Sequence, residues 1–477
     1  MSSISELKPT RVVFVEPAGA HANVFSTWMT IPMLGPLYLG TLAEQAGYHV
    51  TILNENILGR QVTPDELVDA DILCLSCMTA TVQRGKAVAK QYRELRAVLG
   101  LNSRSIIGGI HASMIPEDVV DDFDQVFVGE AESRFLELLS GDVTDKIVHG
   151  QALESLDSVP IANFKLLKHW QRIKVWPVMT SRGCPYDCTF CSVTEMFGRG
   201  YRTKSVDRVI EEVRAYDHRD LFFVDDHFVV NKKRTHQILV GLKGLNRKLN
   251  WSAQLRTEVS KDAALVADMR EAGCRTVHIG FESINPESLK EIHKGHTVED
   301  IKRSVKVFKD NGILVHGMFM FGSDSDHQDV FQMTSDFCKT SGVATVQYMV
   351  LTPLPGTRFY RRIEQEGRLL HKNWEYYDAM HVVFQPKHLT PIELQQGMID
   401  CFSDFYCYTK GIHDAVNAVG MSMVVLFKRM YQRAYYPSFF IPTIKILGKG
   451  IVRAWLKHNR PYLAYLHTIT LRRRVEV

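Results

Sequence analysis

The sequence predicts an α/β protein built from two successive strand–helix alternations and an α-helical C-terminal region. Three observations carry this expectation. Short β-branched runs alternate with amphipathic stretches from Arg11 to Leu139, which is the pattern of an open parallel sheet with helices on both faces. The same alternation resumes from Val175 to Leu351 with six strands, suggesting a partial barrel. Beyond residue 386 the strand pattern stops and helical, basic and apolar stretches take over. The expected divisions are 1–145, a connector 146–174, 175–385 and 386–477.

In the first unit, strands are expected at Arg11–Glu16, His49–Leu53, Ile72–Ser76, Ser105–Gly109 and Gln125–Val128. Helices are expected at Leu37–Ala46, where Gly47 provides a C-cap, and at Pro64–Val68, Val82–Leu99 and Glu132–Leu139. Open parallel sheets bind ligands at the carboxyl ends of their strands. The residues expected there include Ser76, Thr79, Gly108, Gly109, His111, Gly129 and Glu130.

In the second unit, strands are expected at Val175–Thr180, Leu221–Val224, Trp251–Gln254, Thr276–Phe281, Leu314–Phe321 and Thr345–Leu351. The helices between them are Ser205–Tyr216, Thr235–Leu245, Lys261–Ala272, Val298–Asn311 and Val330–Thr340. Polar residues recur at the strand ends: Asp225 and Asp226, Gln254 and Arg256, Glu282 and Ser283. Each has a bland alternative as a helix or turn cap, but several would face one mouth.

The first strand of this unit feeds Ser-Arg-Gly-Cys-Pro-Tyr-Asp-Cys-Thr-Phe-Cys, residues 181–191. Cys184, Cys188 and Cys191 stand at C-x3-C-x2-C spacing. Thiolates select zinc, copper(I) or iron–sulfur clusters. A four-iron cluster ordinarily takes four thiolates, so three would leave one iron open. Zinc would need a fourth ligand close by, and the next histidines, His218 and His227, lie far along the chain. The remaining cysteines show no disulfide-framework pattern. Cys74 and Cys77 sit in an apolar run and read as core or pocket-lining groups.

With Phe190 before its last cysteine, this loop resembles the cluster loop of radical S-adenosylmethionine (SAM) enzymes. The resemblance implies a 4Fe–4S cluster whose open iron chelates SAM, and reductive cleavage of SAM to methionine and a 5′-deoxyadenosyl radical. It places Asp225 and Asp226 at the SAM amino group, and Gln254, Arg256, Glu282 and Ser283 at its carboxylate and ribose. The N-terminal half resembles the Rossmann-like (flavodoxin-like) cobalamin-binding domain that precedes many radical SAM barrels. The matching pieces are Pro36-Leu-Tyr-Leu-Gly40, Gly108-Gly-Ile-His-Ala-Ser113 and Val128-Gly-Glu-Ala-Glu132. That family's D-x-H-x-x-G signature is missing: His21 stands in Gly-Ala-His-Ala-Asn-Val, without the acid or the glycine. A scaffold domain that has lost cobalamin is the alternative. His111 reads as a polar group at a strand end rather than a metal ligand.

Net charge is +4, yet residues 421–477 hold 11 Lys and Arg against one acid, leaving −6 for residues 1–420. A basic apolar tail suits peripheral contact with a membrane face or a greasy substrate wall; the alternative is a cap with a solvated basic face. No run reaches 18 uncharged apolar residues. No RNA-module motif is present, so a nucleic-acid partner is not expected. The N-terminal stretch carries no apolar signal core, and a cytoplasmic location is expected.

The family resemblance implies cobalamin-dependent C-methylation of an unactivated carbon in a small molecule or lipid, fed by an electron donor of flavodoxin or ferredoxin type. The alternatives are a cyclisation, rearrangement or carbon–carbon coupling on a tetrapyrrole or isoprenoid precursor, and a non-catalytic metal-binding scaffold.

Overall fold

The computed structural model describes residues 9–21, 30–406, 448–450, 452–453, 455–456 and 461–470. In it, the run Arg11–Glu16 forms β1. Its side chains alternate between two cores. Val12 and Phe14 pack with Leu37, Tyr38 and Phe135 on one face, and Val13 and Val15 with Leu67, Val88 and Tyr92 on the other. Burial on both faces explains why the strand reads as a continuous apolar run. Around it lie β2 (His49–Asn54), β3 (Ile72–Ser76), β4 (Ser105–Gly108), β5 (Gln125–Val128) and β6 (Ile147–His149). All six pair in parallel, in the order β2-β1-β3-β4-β5-β6. The strand-order switch falls beside β1, so the ligand edge is formed by the ends of β1, β3, β4 and β5.

The second sheet comprises β7 (Trp176–Val178), β10 (Asp220–Phe223), β11 (Asn250–Leu255), β12 (Cys274–Glu282), β13 (Leu314–Phe321) and β14 (Thr345–Val350). A short antiparallel hairpin, β8 (Ser181–Arg182) with β9 (Arg202–Thr203), stands between β7 and β10. The six main strands run parallel in the order β14-β13-β12-β11-β10-β7. This is the open six-stranded barrel that the sequence pattern predicts. Helices between the strands start on matched caps. Thr297 caps Val298–Asp310 through a reciprocal pair with Asp300, and Asp262 caps Ala263–Glu271.

The β8–β9 hairpin and two further features differ from the sequence expectation. β6 falls inside the stretch read as a connector and adds a sixth strand to the first sheet. The helix Arg358–Gln365, which buries Phe359, Tyr360 and Ile363, follows the last barrel strand where none was expected. The expected helix Thr390–Tyr408 is seen as Pro391–Phe405, opened by a Thr390–Glu393 capping box with Pro391 in its first turn. The stretches 415–427 and 435–447 lie outside the described residues.

Buried polar struts join the two units. Arg182, just before the cysteine loop, donates to Glu130 at 2.6 Å and to Glu132, while Arg202 also pairs with Glu130. Glu130 and Glu132 follow β5, so the end of the first sheet is bolted to the start of the cysteine loop. A second strut sets Lys204 against Glu212, with the Tyr38 hydroxyl 3.3 Å from Glu212. Breaking one partner of such a buried pair costs about 3–5 kcal/mol.

Candidate functional site

β7 ends at Val178, and the chain turns through Gly183 into the three cysteines. Gly183 has φ +85°, and a Cβ there would lie 2.1 Å from the Gly200 carbonyl. Only glycine permits both the conformation and the close approach. The loop is pinned from outside: Thr189 N–H donates to Ile292 O at 3.3 Å, and Phe359 N–H donates to Thr189 O at 3.1 Å. Asp187 accepts from Arg358 at 2.7 Å. Cys188 is buried, while Cys184 and Cys191 are partly exposed. Burial raises the thiols of Cys184 and Cys191, the latter to about 12, and the Asp226 carboxylate raises both further.

The two neighbouring aspartates differ. Asp225 turns back into the fold, where it accepts from Thr180 N and Thr180 Oγ1, each at 3.1 Å, and from Ser181 Oγ. Asp226 lines a cavity between the two sheets and lies close enough to Cys184 and Cys191 for its charge to act on both thiols. Surrounding protein and the charge of Asp225 push it up to about 6.

Arg256, at the end of β11, lies over the ring of Tyr186 at 3.7 Å, with Nη1 3.8 Å from Cys188 Sγ. Its Nη2 donates to the Lys294 carbonyl. Lys294 Nζ in turn donates to Glu282 Oε1 at 2.6 Å. Glu282 itself adopts φ +64°, an uncommon conformation for a non-glycine residue, where β12 breaks register. Ser283 Oγ accepts from Asn285 N at 3.0 Å and so stabilises the turn after β12. Gln254 is half-buried, and its carbonyl accepts from Phe228 N. Cys188, Arg256, Lys294 and Glu282 thus form one connected chain of contacts. The sequence pattern does not mark Lys294 or Tyr186 as site residues. Tyr186 lies inside the cysteine motif itself, but nothing local shows that its ring supports an arginine 70 residues onward.

A cavity of about 320 Å³ opens where the two sheets meet. Ser76, Gly108, Gly109, Gly129 and Glu130 line it from the first sheet, and Ser181, Arg182, Val224 and Asp226 from the second. Its inner end is apolar, with Phe14, Phe127, Phe135 and Leu138. Gly109 has φ +94°, and a Cβ would come within 2.7 Å of Cys77 O. A second cavity, of about 520 Å³, is lined by Thr79, His21, Ile110, Ser192 and Leu354. Glu130 contributes to the wall but spends its carboxylate on Arg182 and Arg202. His111 faces neither cavity lining: it is fully buried, with Nε2 3.1 Å from Asp118 and its ring edge-on to Trp374. Cys74 lines the first cavity, and Cys77 packs into the core behind the first sheet.

The donor chemistry fits the groups that the sequence implied. Among the described residues, no three His, Cys, Asp or Glu side chains converge on a single-ion site. Three thiols that each serve a different iron of a cluster need no such convergence. The glycine-walled cavity gives backbone-close access to a large flat ligand.

The comparisons with known proteins agree with this geometry. Residues 178–333 match the radical SAM superfamily, and residues 21–139 match the B12 binding domain. The chain is 28% identical over 439 residues to an uncharacterized methyltransferase of Pyrococcus horikoshii, covering 85% of this chain and 94% of that one. It is 24% identical over 408 residues to bacteriochlorophyllide d C-12(1)-methyltransferase of Chlorobaculum tepidum, covering 83% and 87%. Relatives named as cyclases also occur, among them anaerobic magnesium-protoporphyrin IX monomethyl ester cyclase of Cereibacter sphaeroides, at 23% identity over 83% of this chain and 70% of that one. The cobalamin-dependent SAM radical enzyme OxsB shares the fold, with TM-score 0.67, 15% identity and coverage of 98% of this chain and 80% of that one. The protein is therefore an iron–sulfur enzyme of the two-domain α/β type. Residues 178–333 form a radical SAM domain and residues 21–139 a B12 binding domain, and the cofactors that this pair implies are a 4Fe–4S cluster, SAM and cobalamin.

Proposed function

We propose that this enzyme transfers a methyl group to an unactivated carbon of a small-molecule or lipid substrate. The observation that carries this reading is a cavity walled by the ligand edges of both sheets, with Gly108, Gly109 and Gly129 on one side and Asp226 on the other. When bound, the cofactors supply hydrogen-atom abstraction from carbon and a carried methyl group.

Everything else falls to the chain. Cys184, Cys188 and Cys191 would hold three irons and leave the fourth open. Asp226, beside the thiols, is the carboxylate placed to meet the SAM ammonium, since Asp225 is engaged by Thr180 and Ser181. Gln254, Glu282 and Ser283 stand at the ends of β11 and β12 and would meet the SAM carboxylate and ribose. Ser76 and Thr79 offer hydroxyls, and the three glycines offer bare backbone, to the corrin and its nucleotide tail. The apolar end around Phe127 and Phe135 keeps water from that tail. No general base is needed, because a hydrogen atom rather than a proton leaves the substrate carbon.

The relatives named as methyltransferases favour methyl transfer, and the cyclase relatives support a second reading in which no methyl is added. An electron donor of flavodoxin or ferredoxin type would reduce the cluster. Among the described residues no helix is long and apolar enough to cross a membrane. The basic stretch after residue 421 is proposed to give peripheral contact with a membrane face.

Anaerobic reconstitution with iron, sulfide, cobalamin, SAM and dithionite tests the reading. Formation of 5′-deoxyadenosine is expected, and its absence would favour a scaffold. With tetrapyrrole and isoprenoid candidates, a product heavier by one methyl group supports transfer, whereas a product without that gain supports cyclisation.

A further inference from the structure

The three thiols of the loop are not equivalent. Cys188 is the buried one and, among the described residues, it alone has a cation within hydrogen-bonding range: Arg256 Nη1, 3.8 Å from its sulfur. Arg256 is 6% exposed and has neighbours in three directions. One face rests on Tyr186 at 3.7 Å, Nη2 donates to the Lys294 carbonyl, and Nε lies 3.3 Å from Glu258 Oε1. Glu258 also accepts from the Tyr186 hydroxyl and lies 3.4 Å from His227 Nε2. The support for the arginine therefore comes from the cysteine loop, from the strand end that carries it and from the loop after Ile292. A planar fork held this way keeps its direction, which a flexible ammonium would not.

We propose that Arg256 is a positioning and charge-compensating residue for the cluster rather than a clamp on the SAM carboxylate. Its N–H donates to the Cys188 thiolate, and its charge offsets the negative charge that the cluster gains on reduction. This inference rests on reading Cys184, Cys188 and Cys191 as the cluster ligands. The physics is direct. One-electron reduction adds one negative charge to the cluster. A fixed cation at a ligating sulfur stabilises the reduced form more than the oxidised one, and hydrogen bonds to cluster sulfurs act in the same sense. Glu258 opposes this effect, but its contacts fall on Nε, away from the Nη1 that faces the sulfur. With Arg256 in place, the cluster accepts its electron at a less negative potential.

The test is an EPR-monitored redox titration of the anaerobically reconstituted full chain, using dithionite and mediators, for wild type, Arg256→Met and Arg256→Lys. SAM affinity is measured in parallel by equilibrium binding. All three cysteines remain, so both variants are expected to hold the cluster. The midpoint potential of Arg256→Met should shift to more negative values. Arg256→Lys, which keeps the charge but loses the fork, should shift less in the same direction. If Arg256→Met loses iron, the Lys variant carries the comparison. An unchanged potential combined with lost SAM affinity would overturn the proposal and return Arg256 to the SAM carboxylate. A wild-type protein that takes up no iron would overturn the cluster reading itself, and this inference with it.

Discussion

The two sheets meet at their carboxyl edges, yet they are equipped differently. The first sheet offers mostly backbone: Gly108, Gly109 and Gly129, with Ser76 and Cys74 between them. The barrel offers donors and charge: three thiols, Asp226, Arg256 and the Glu282–Lys294 pair. A bare edge selects a large ligand by shape and close approach, whereas a charged edge selects by coordination and electrostatics. The difference suggests that the first sheet carries a preformed bulky cofactor and the second generates reactivity. The Glu130–Arg182 strut fixes the distance between the two.

The sharpest way to break this division is at the barrel edge. Cys188→Ala removes one thiolate of three, so SAM cleavage should drop to background while cobalamin retention by the first sheet is kept. Iron analysis and 5′-deoxyadenosine assays read the one, and the corrin absorption spectrum reads the other. Loss of both together would show that the edges do not act separately.

The next largest effect is expected at the strut. Arg182→Ala leaves Glu130 and Glu132 buried with fewer partners, costing roughly 3–5 kcal/mol in denaturant unfolding. An effect of a surface pair's size, below about 1 kcal/mol, would mean that the strut does not hold the units together.

The first sheet carries a pH effect of its own. Glu16, at the end of β1, is pushed up from 4.5 to about 7 by burial, against hydrogen bonds from Met33 N and Asn54 Nδ2. A carboxyl raised on folding stabilises the fold below its unfolded value. That contribution disappears as pH rises through the folded value. Stability should therefore fall between about pH 4.5 and 7, by up to ~3 kcal/mol for this group. Glu16→Gln should flatten that slope in thermal melts, and an unchanged slope would assign it to other groups.

The smallest effects separate two adjacent glycines. Gly109→Ala is strained, with φ +94° and a Cys77 carbonyl 2.7 Å away, and should cost roughly 1–3 kcal/mol. Gly108→Ala meets nothing closer than 3.9 Å, so its stability should stay within about 0.5 kcal/mol of wild type. The difference in melting midpoint between these two variants is the readout.

Much of this architecture is legible in the sequence, because both sheets are buried and their strands are bounded by glycines and polar turns. β1 falls at the expected residues, and apart from β6, β8 and β9 the strands of both sheets fall where they are expected. β6 spans three residues and the hairpin strands β8 and β9 two each, too short to show a period. The helix Arg358–Gln365 is rich in charge, and its three buried residues do not stand out from the sequence. For the site, the cysteine spacing is visible because the ligands are local. The partners of Glu130, and the contact between Arg256 and Cys188 across 68 positions, exist only after folding. A motif match places Asp225 and Asp226 together; only the hydrogen bonds from Thr180 and Ser181 show which of them is free to meet a ligand.

The most direct test of the account is the cofactor content of the full-length protein purified and reconstituted without oxygen. The account predicts about four irons with matching sulfide and one cobalamin per chain, with spectra of both chromophores in one protein. A protein that holds a single metal ion through four side chains, or that binds a cluster but no corrin at any concentration, would contradict it.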